Sequence, residues 1–186
     1  MIVGIVGLNG SGKDTFADYI VKKYGFEHKD LGQEIRNELK LLKKNHLDRN
    51  EMIKLGNDRR VEFGFDYWAT RAINNTKENL ILTSIRNPKE VQKIVSLGGV
   101  VIEVTANQKV RYDRTVERVK KDPTAHGDVK SFNEFKINEL KELKNRDPSK
   151  QQLIKCMKMA KHHVTNNSSP EDFYKKIDKL FKKLLV

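Results

Sequence analysis

The sequence predicts an α/β protein of three layers, α/β/α, in which a five-stranded parallel sheet carries helices on both faces. Three observations lead there. The chain opens on an apolar run, Ile2-Val3-Gly4-Ile5-Val6, that turns directly into Gly7-Leu8-Asn9-Gly10-Ser11-Gly12-Lys13. Further short apolar runs alternate with stretches of helical period as far as the C-terminus, the pattern of a parallel sheet with crossover helices. At 186 residues the chain is long enough to enclose such a sheet in one domain, 1–186.

The first turn carries chemistry. Gly7, Gly12 and Lys13 have the spacing of a phosphate-binding loop, in which glycines let successive backbone N–H groups curl around a pyrophosphate and the lysine reaches the outer phosphates. A helix must follow, so that its unpaired N-terminal amides and its dipole face the anion. Phe16, Ile20 and Tyr24 supply its apolar face and Gly25 its stop. Leu8, Asn9, Gly10, Ser11, Gly12, Lys13, Asp14 and Thr15 are therefore the expected phosphate-binding site. The motif usually has Ser or Thr directly after the lysine to ligate Mg²⁺, and here Asp14 holds that place. Mg²⁺ is expected at Asp14, directly or through water, with Thr15 as the second candidate.

No secretory leader precedes the first strand, and no apolar run has the length that spans a bilayer, so a cytoplasmic protein is expected. A lone cysteine, Cys156, at a helical apolar position reads as core. The net charge of +12 suits either nucleic acid or an anionic small molecule. Lysines lie along most helices and crowd the last one at Lys175, Lys176, Lys179, Lys182 and Lys183, as on solvated faces. Arginines are fewer, and their planar fork suits phosphate better than a point charge does.

Phe26 to Lys29 reads as the second strand, and Asp30 opens a helix with Leu31, Ile35, Leu39 and Leu42 on one face. Asp30 with Gln33 is a helix cap; equally, a carboxylate at that strand end would orient or deprotonate an acceptor hydroxyl. Arg36 on the same helix is either an exposed charge or a contact to the acceptor's phosphate. A helix capped by Asp48 with Glu51 and a further helix after Asp66 follow, interrupted by Gly56 and Gly64, so that residues 31–76 read as a mobile helical insert outside the core, with Trp68 as packing.

Leu80 to Ser84 is the next strand, and Asn87-Pro88-Lys89-Glu90 starts a helix that leaves Arg86 at the strand's C-terminal edge, where open parallel sheets bind ligands. A phosphate contact is expected of Arg86. That strand lacks a terminal aspartate, which raises the importance of Asp14. Val100 to Thr105 is a strand, and Arg111, Arg114 and Arg118 then share one helical face. Their mutual repulsion is most easily explained by an anion among them. Residues 111–135 read as a lid with a flexible tip. Asp147-Pro148 is expected to open a helix bearing Leu153 and Met157, before a short strand at His162 to Asn166 and a last helix from Ser169-Pro170. His126, His162 and His163 lack metal-ligand spacing.

With these residues in view the chain resembles the nucleoside monophosphate kinase superfamily of phosphate-loop proteins, and within it the dephospho-coenzyme A kinase-like members. The likeness runs through Gly7 to Thr15, Leu31 to Arg36, Ser84 to Glu90, the Arg111/Arg114/Arg118 helix, and Val164 to Ser168. The Lys13-Asp14-Thr15 ending also looks like deoxynucleoside monophosphate and phosphomevalonate kinases. The resemblance implies transfer of the γ-phosphate of Mg-ATP to a small phosphorylated acceptor. It implies that Lys13 and the loop hold ATP, that Arg111 and Arg114 close over the γ-phosphate, and that Asn166 flanks the adenine. Arg36 and Arg86 would grip the acceptor and Asp30 would match a catalytic aspartate. A competing expectation from the charge is an adenylate-kinase-like ATPase acting in ribosome or RNA assembly.

Overall fold

The computed structural model describes residues 1–76, 79–122, 131–143, 147 and 150–185. Five strands, β1 (Ile2–Val6), β2 (Glu27–Asp30), β3 (Leu80–Thr83), β4 (Val100–Thr105) and β5 (His162–Thr165), form one parallel sheet in the order β2-β3-β1-β4-β5. The helices among the described residues are α1 (Lys13–Tyr24), α2 (Leu31–Leu41), α3 (Arg49–Phe63), α4 (Tyr67–Asn74), α5 (Pro88–Ser96), α6 (Gln108–Lys121), α7 (Phe132–Leu143), α8 (Leu153–Lys158) and α9 (Pro170–Leu184). Every strand connects to the next through helix, which is what parallel pairing demands.

Alternation along the strands divides the interior in two. Val3 and Ile5 of β1, Ile81 of β3 and Ile102 of β4 pack against Phe16, Ala17 and Ile20 of α1 and Phe173, Ile177 and Phe181 of α9. Val6, Leu80, Leu82 and Val101 point to the other face, against Trp68, Ala69 and Ala72 of α4, Val91 and Ile94 of α5, and Cys156 of α8. The period-two switch of side chains thus builds both outer layers. Because β1 is central, flanked by β3 and β4, the turn after it emerges at the middle of the sheet's C-terminal edge.

Local signals set the boundaries as expected at several points. Gly25 ends α1, Asp30 accepts from Gly32 N–H at 2.6 Å and Gln33 N–H at 3.1 Å, and Asn87 with Glu90 completes a capping box on α5. Two expectations are corrected. The helical insert is not outside the core, because Trp68 and Ala69 of α4 are fully buried in the second apolar cluster, where Trp68 Nε1 donates to the Gly56 carbonyl at 3.1 Å. The helix expected from Asp147 begins only at Leu153, with Gln152 at its N-cap, whose N–H is drawn to the Arg86 carbonyl at 2.7 Å; Pro148 lies outside the described residues.

Phe16 meets Phe173 and Phe181 at ring-centroid distances of 6.2 and 6.0 Å with no exposure. Phe16→Ala is expected to cost about 3–5 kcal/mol, because a ring-sized void opens where α1 and α9 meet the sheet. Urea titration followed by circular dichroism should show a lower midpoint with an unchanged slope.

Candidate active site

The turn after β1 is shaped by close approaches that only glycine permits. At Gly7, with φ of 143°, a Cβ would stand 2.2 Å from the Val104 carbonyl oxygen. At Gly12, with φ of 100°, it would stand 2.2 Å from Asn166 Nδ2. Gly12 is also the N-cap of α1 and offers no side chain, so the first amides of that helix are left without a side-chain acceptor. Within the same turn Ser11 is fully buried and its Oγ has no hydrogen-bond partner among the described residues. Uncapped amides and an orphaned hydroxyl around one concavity make an anion cradle.

Lys13 Nζ donates to the Leu8 carbonyl at 3.0 Å, which folds the ammonium back across the turn. Burial first, and the Arg86 guanidinium second, bring its pKa down from 10.5 to about 8. Arg118 acts in the same direction, while the Asp14 and Asp30 carboxylates oppose it. Those five groups therefore share one electrostatic neighbourhood, although they come from α1, β2, the end of β3 and α6. Arg86 Nη2 lies 3.4 Å from Asn9 Oδ1, so its side chain leans over the loop.

The stripe on α6 divides in three. Arg111 is 3 % exposed and pairs with Glu139 of α7; it also donates to the Ala106 carbonyl at 3.0 Å and the Asn9 carbonyl at 3.3 Å. The repulsion expected along the stripe is therefore relieved at Arg111 by a carboxylate, and no anion is required to explain it. Arg114 donates to the backbone and side-chain oxygens of Asn166 at 3.0 and 3.1 Å, and burial lowers its pKa. Asn166 Nδ2 in turn donates to the Ser11 carbonyl at 2.9 Å. Arg118, exposed near the end of α6, is the member whose charge reaches Lys13. Sequence spacing put all three on one face, but the acceptors of Arg111 and Arg114 lie far away in the chain, at Glu139 and Asn166.

Asp30 uses Oδ1 for the two amides of its cap. Arg36 has one long hydrogen bond, 3.4 Å to Gln33, and no ion pair among the described residues. Asp14 and Thr15 stand exposed in the first turn of α1. Their oxygens make no protein hydrogen bond among the described residues, and a carboxylate and a hydroxyl beside a phosphate cradle are hard donors of the kind Mg²⁺ takes. They fit such an ion. Of the expected lid, residues 123–130 lie outside the described residues.

Sheet order, central glycine loop and lysine together define a protein of the small phosphate-loop kinase fold. A family model described as an AAA domain matches residues 3–137, and the chain belongs to that family. Among solved structures it is similar to shikimate kinase from Bacteroides thetaiotaomicron, with a TM-score of 0.62 and 14% identity over 100% of this chain and 99% of that one. It is also similar to shikimate kinase from Acinetobacter baumannii in complex with shikimate (TM-score 0.57, 20% identity, 98% of this chain, 93% of that chain). A gluconokinase from Sinorhizobium meliloti 1021 has a TM-score of 0.54 at 13% identity, over 98% and 94% of the two chains. At these identities the likeness is one of fold. No curated protein matches. Among the described residues no helix is long and apolar enough to cross a membrane.

A bound polyphosphate stabilises the charged form of Lys13. With the free side chain titrating at about 8, nucleotide affinity should be level below pH 7 and fall by up to about tenfold per pH unit above 8, with proton uptake on binding. Calorimetry of ADP binding in two buffers of different ionisation enthalpy, at about pH 6.5 and about pH 8.5, measures that uptake directly.

Proposed function

We propose that the protein is a small-molecule kinase that moves the γ-phosphoryl group of Mg-ATP to a nucleotide-like acceptor, a nucleoside or deoxynucleoside monophosphate or dephospho-coenzyme A. The observation that carries this reading is a half-buried Lys13 beside a cradle of uncapped amides, with the charges of Arg86, Arg118, Asp14 and Asp30 all reaching it. Chemistry by positioning and charge neutralisation needs those groups and little else.

In this reading the loop from Leu8 to Thr15 holds the β- and γ-phosphates through its amides and Lys13. The acceptor oxygen attacks phosphorus in line, the bond to the β,γ-bridging oxygen breaks, and negative charge builds on the departing ADP. Lys13 and Arg118 face that charge, Arg86 bridges the transferred group and the acceptor, and Arg36 binds the acceptor's own phosphate. Arg111 and Arg114 serve the same step from behind, fixing the loop through the Asn9 carbonyl and, through Asn166, the Ser11 carbonyl. Asp14, with Thr15 as the alternative, would hold Mg²⁺, which supplies charge neutralisation across the phosphates when bound. Residues 31–76 act as the acceptor-binding insert and 111–135 as the lid of a single domain.

Incubation with Mg-ATP and a panel of nucleoside monophosphates, dephospho-coenzyme A and phosphomevalonate, read as ADP release and as phosphorylated product, tests the proposal. ADP released at one rate whatever is added, with no phosphorylated product, would sink it in favour of an ATPase. Arg118→Ala is expected to slow transfer by about 10³-fold, on the scale of arginines that contact a transferring phosphoryl group.

Asp30→Asn separates acceptor classes, because asparagine caps a helix as well as aspartate does. The variant should melt where the parent melts. Turnover should drop by about 10²-fold or more if the acceptor oxygen is a hydroxyl needing a base, and should change little if it is a phosphate.

A further inference from the structure

A buried ion pair outside the phosphate cradle holds, through its second carboxylate oxygen, the backbone of the residue whose side chain leans over the loop. Arg60 of α3 is 3 % exposed and Glu90 of α5 is fully buried. Nε and Nη2 of Arg60 both donate to Oε1 of Glu90, at 2.9 and 2.8 Å, and Nη1 donates to the Gly56 carbonyl at 3.3 Å. Oε2 of Glu90 accepts the backbone N–H of Arg86 at 2.8 Å and that of Asn87 at 3.0 Å. On the other side of the same residue, the Arg86 carbonyl accepts the Gln152 N–H at 2.7 Å. Both polar groups of the Arg86 backbone are thus held, one from α5 and one from the entry to α8, while its side chain leans over Asn9.

Helix capping does not account for Arg60. The box formed by Asn87 and Glu90 satisfies the first amides of α5 without it. Stability accounts for it poorly too, since removing two charges from water offsets most of what a buried pair contributes. What the guanidinium adds is a fixed, two-pronged hold on the one oxygen of Glu90 that the Arg86 backbone leaves unused, and that hold ties α3 to the end of β3.

We infer that Arg60 and Glu90 are positioning residues that set where the Arg86 guanidinium stands over the phosphate loop, and so couple the acceptor side of the protein to the nucleotide side. The inference rests on the proposed role of Arg86 as a contact to the transferred phosphate. Sites of this kind tolerate displacements of only about 0.5 Å before function falls.

The test uses the full chain with Mg²⁺ and two probes, ADP and adenosine 5′-(β,γ-imido)triphosphate, titrated calorimetrically. The paired variant R60M/E90Q removes both charges together, and the glutamine side chain still offers an oxygen to the cap. R86M is the reference. Both should bind the imido analogue about tenfold more weakly than the parent while binding ADP within about twofold, and R60M/E90Q/R86M should bind no more weakly than R86M. R60K, which keeps the charge and loses the fork, should fall between the parent and the pair for the imido analogue; it carries the test if the paired variant does not fold. Losses that multiply in the combined variant, an equal loss for ADP, or an R60M/E90Q or R60K that binds like the parent while R86M does not, would each overturn the inference. An R86M that binds the analogue like the parent would instead remove the reading of Arg86 on which the inference stands.

Discussion

An ammonium group held partly out of water, with no ion pair among the described residues, is the constraint on which this site depends. Among the described residues Lys13 has one hydrogen bond, to the Leu8 carbonyl; the cationic Arg86 lowers its pKa more than the Asp14 or Asp30 carboxylate raises it. Burial and like charge both disfavour its protonated form, and both would be relieved by a bound polyanion. The glycines make the arrangement possible, since a Cβ at Gly7 or Gly12 would collide with β4 or with Asn166 before the loop could close around the ligand. The apolar layers behind the loop hold β1 and α1 in place on either side of it. Uncapped amides held in this way offer an anion donors that need no rearrangement, which is the sense in which such a site would be preorganised.

Carboxylates are distributed so as to leave that neighbourhood cationic. Arg59 and Arg71 converge on Glu38, Arg60 on Glu90, and Arg111 on Glu139, so these carboxylates are taken up by arginines and not by Lys13. These arginines tie helices together: α3 and α4 to α2, α3 to α5, and α6 to α7. A high net charge can thus coexist with a packed interior, because most buried guanidinium groups carry their own counter-ion. Lysines on α9 lie on an exposed face, with Asp178 there taken up by Lys23, Tyr19 and Tyr24. The charge of +12 is therefore chiefly a property of solvated surface.

Much of the fold could be read from residue order alone, and the reasons are local. Apolar runs bounded by Gly25, Asp30 or Asn87-Pro88 locate strands and helix starts because capping and turn chemistry act within four residues. The cradle was legible for the same reason, since its amides, glycines and lysine are contiguous. The partners of the arginines were not. Spacing put Arg111, Arg114 and Arg118 on one face, but Glu139 and Asn166 reach two of them through tertiary packing that no periodicity encodes. Burial of α4 was missed likewise. Glycines at positions 56 and 64 suggested looseness, whereas Gly56 lets α3 approach Ile35 and presents its carbonyl to both Trp68 and Arg60.

Asp30 shows how a helix cap can fix a carboxylate at a sheet edge. Its cap on α2 uses Oδ1 alone, at 2.6 Å to the Gly32 amide, and so holds the carboxylate at the C-terminal end of β2 with its second oxygen available. The charge on that carboxylate is felt by Lys13. A carboxylate anchored by one oxygen needs no further ordering to meet an acceptor, so the entropy of placing it is already met in folding. The cap by itself therefore explains why this carboxylate stands fixed at the C-terminal edge of the sheet.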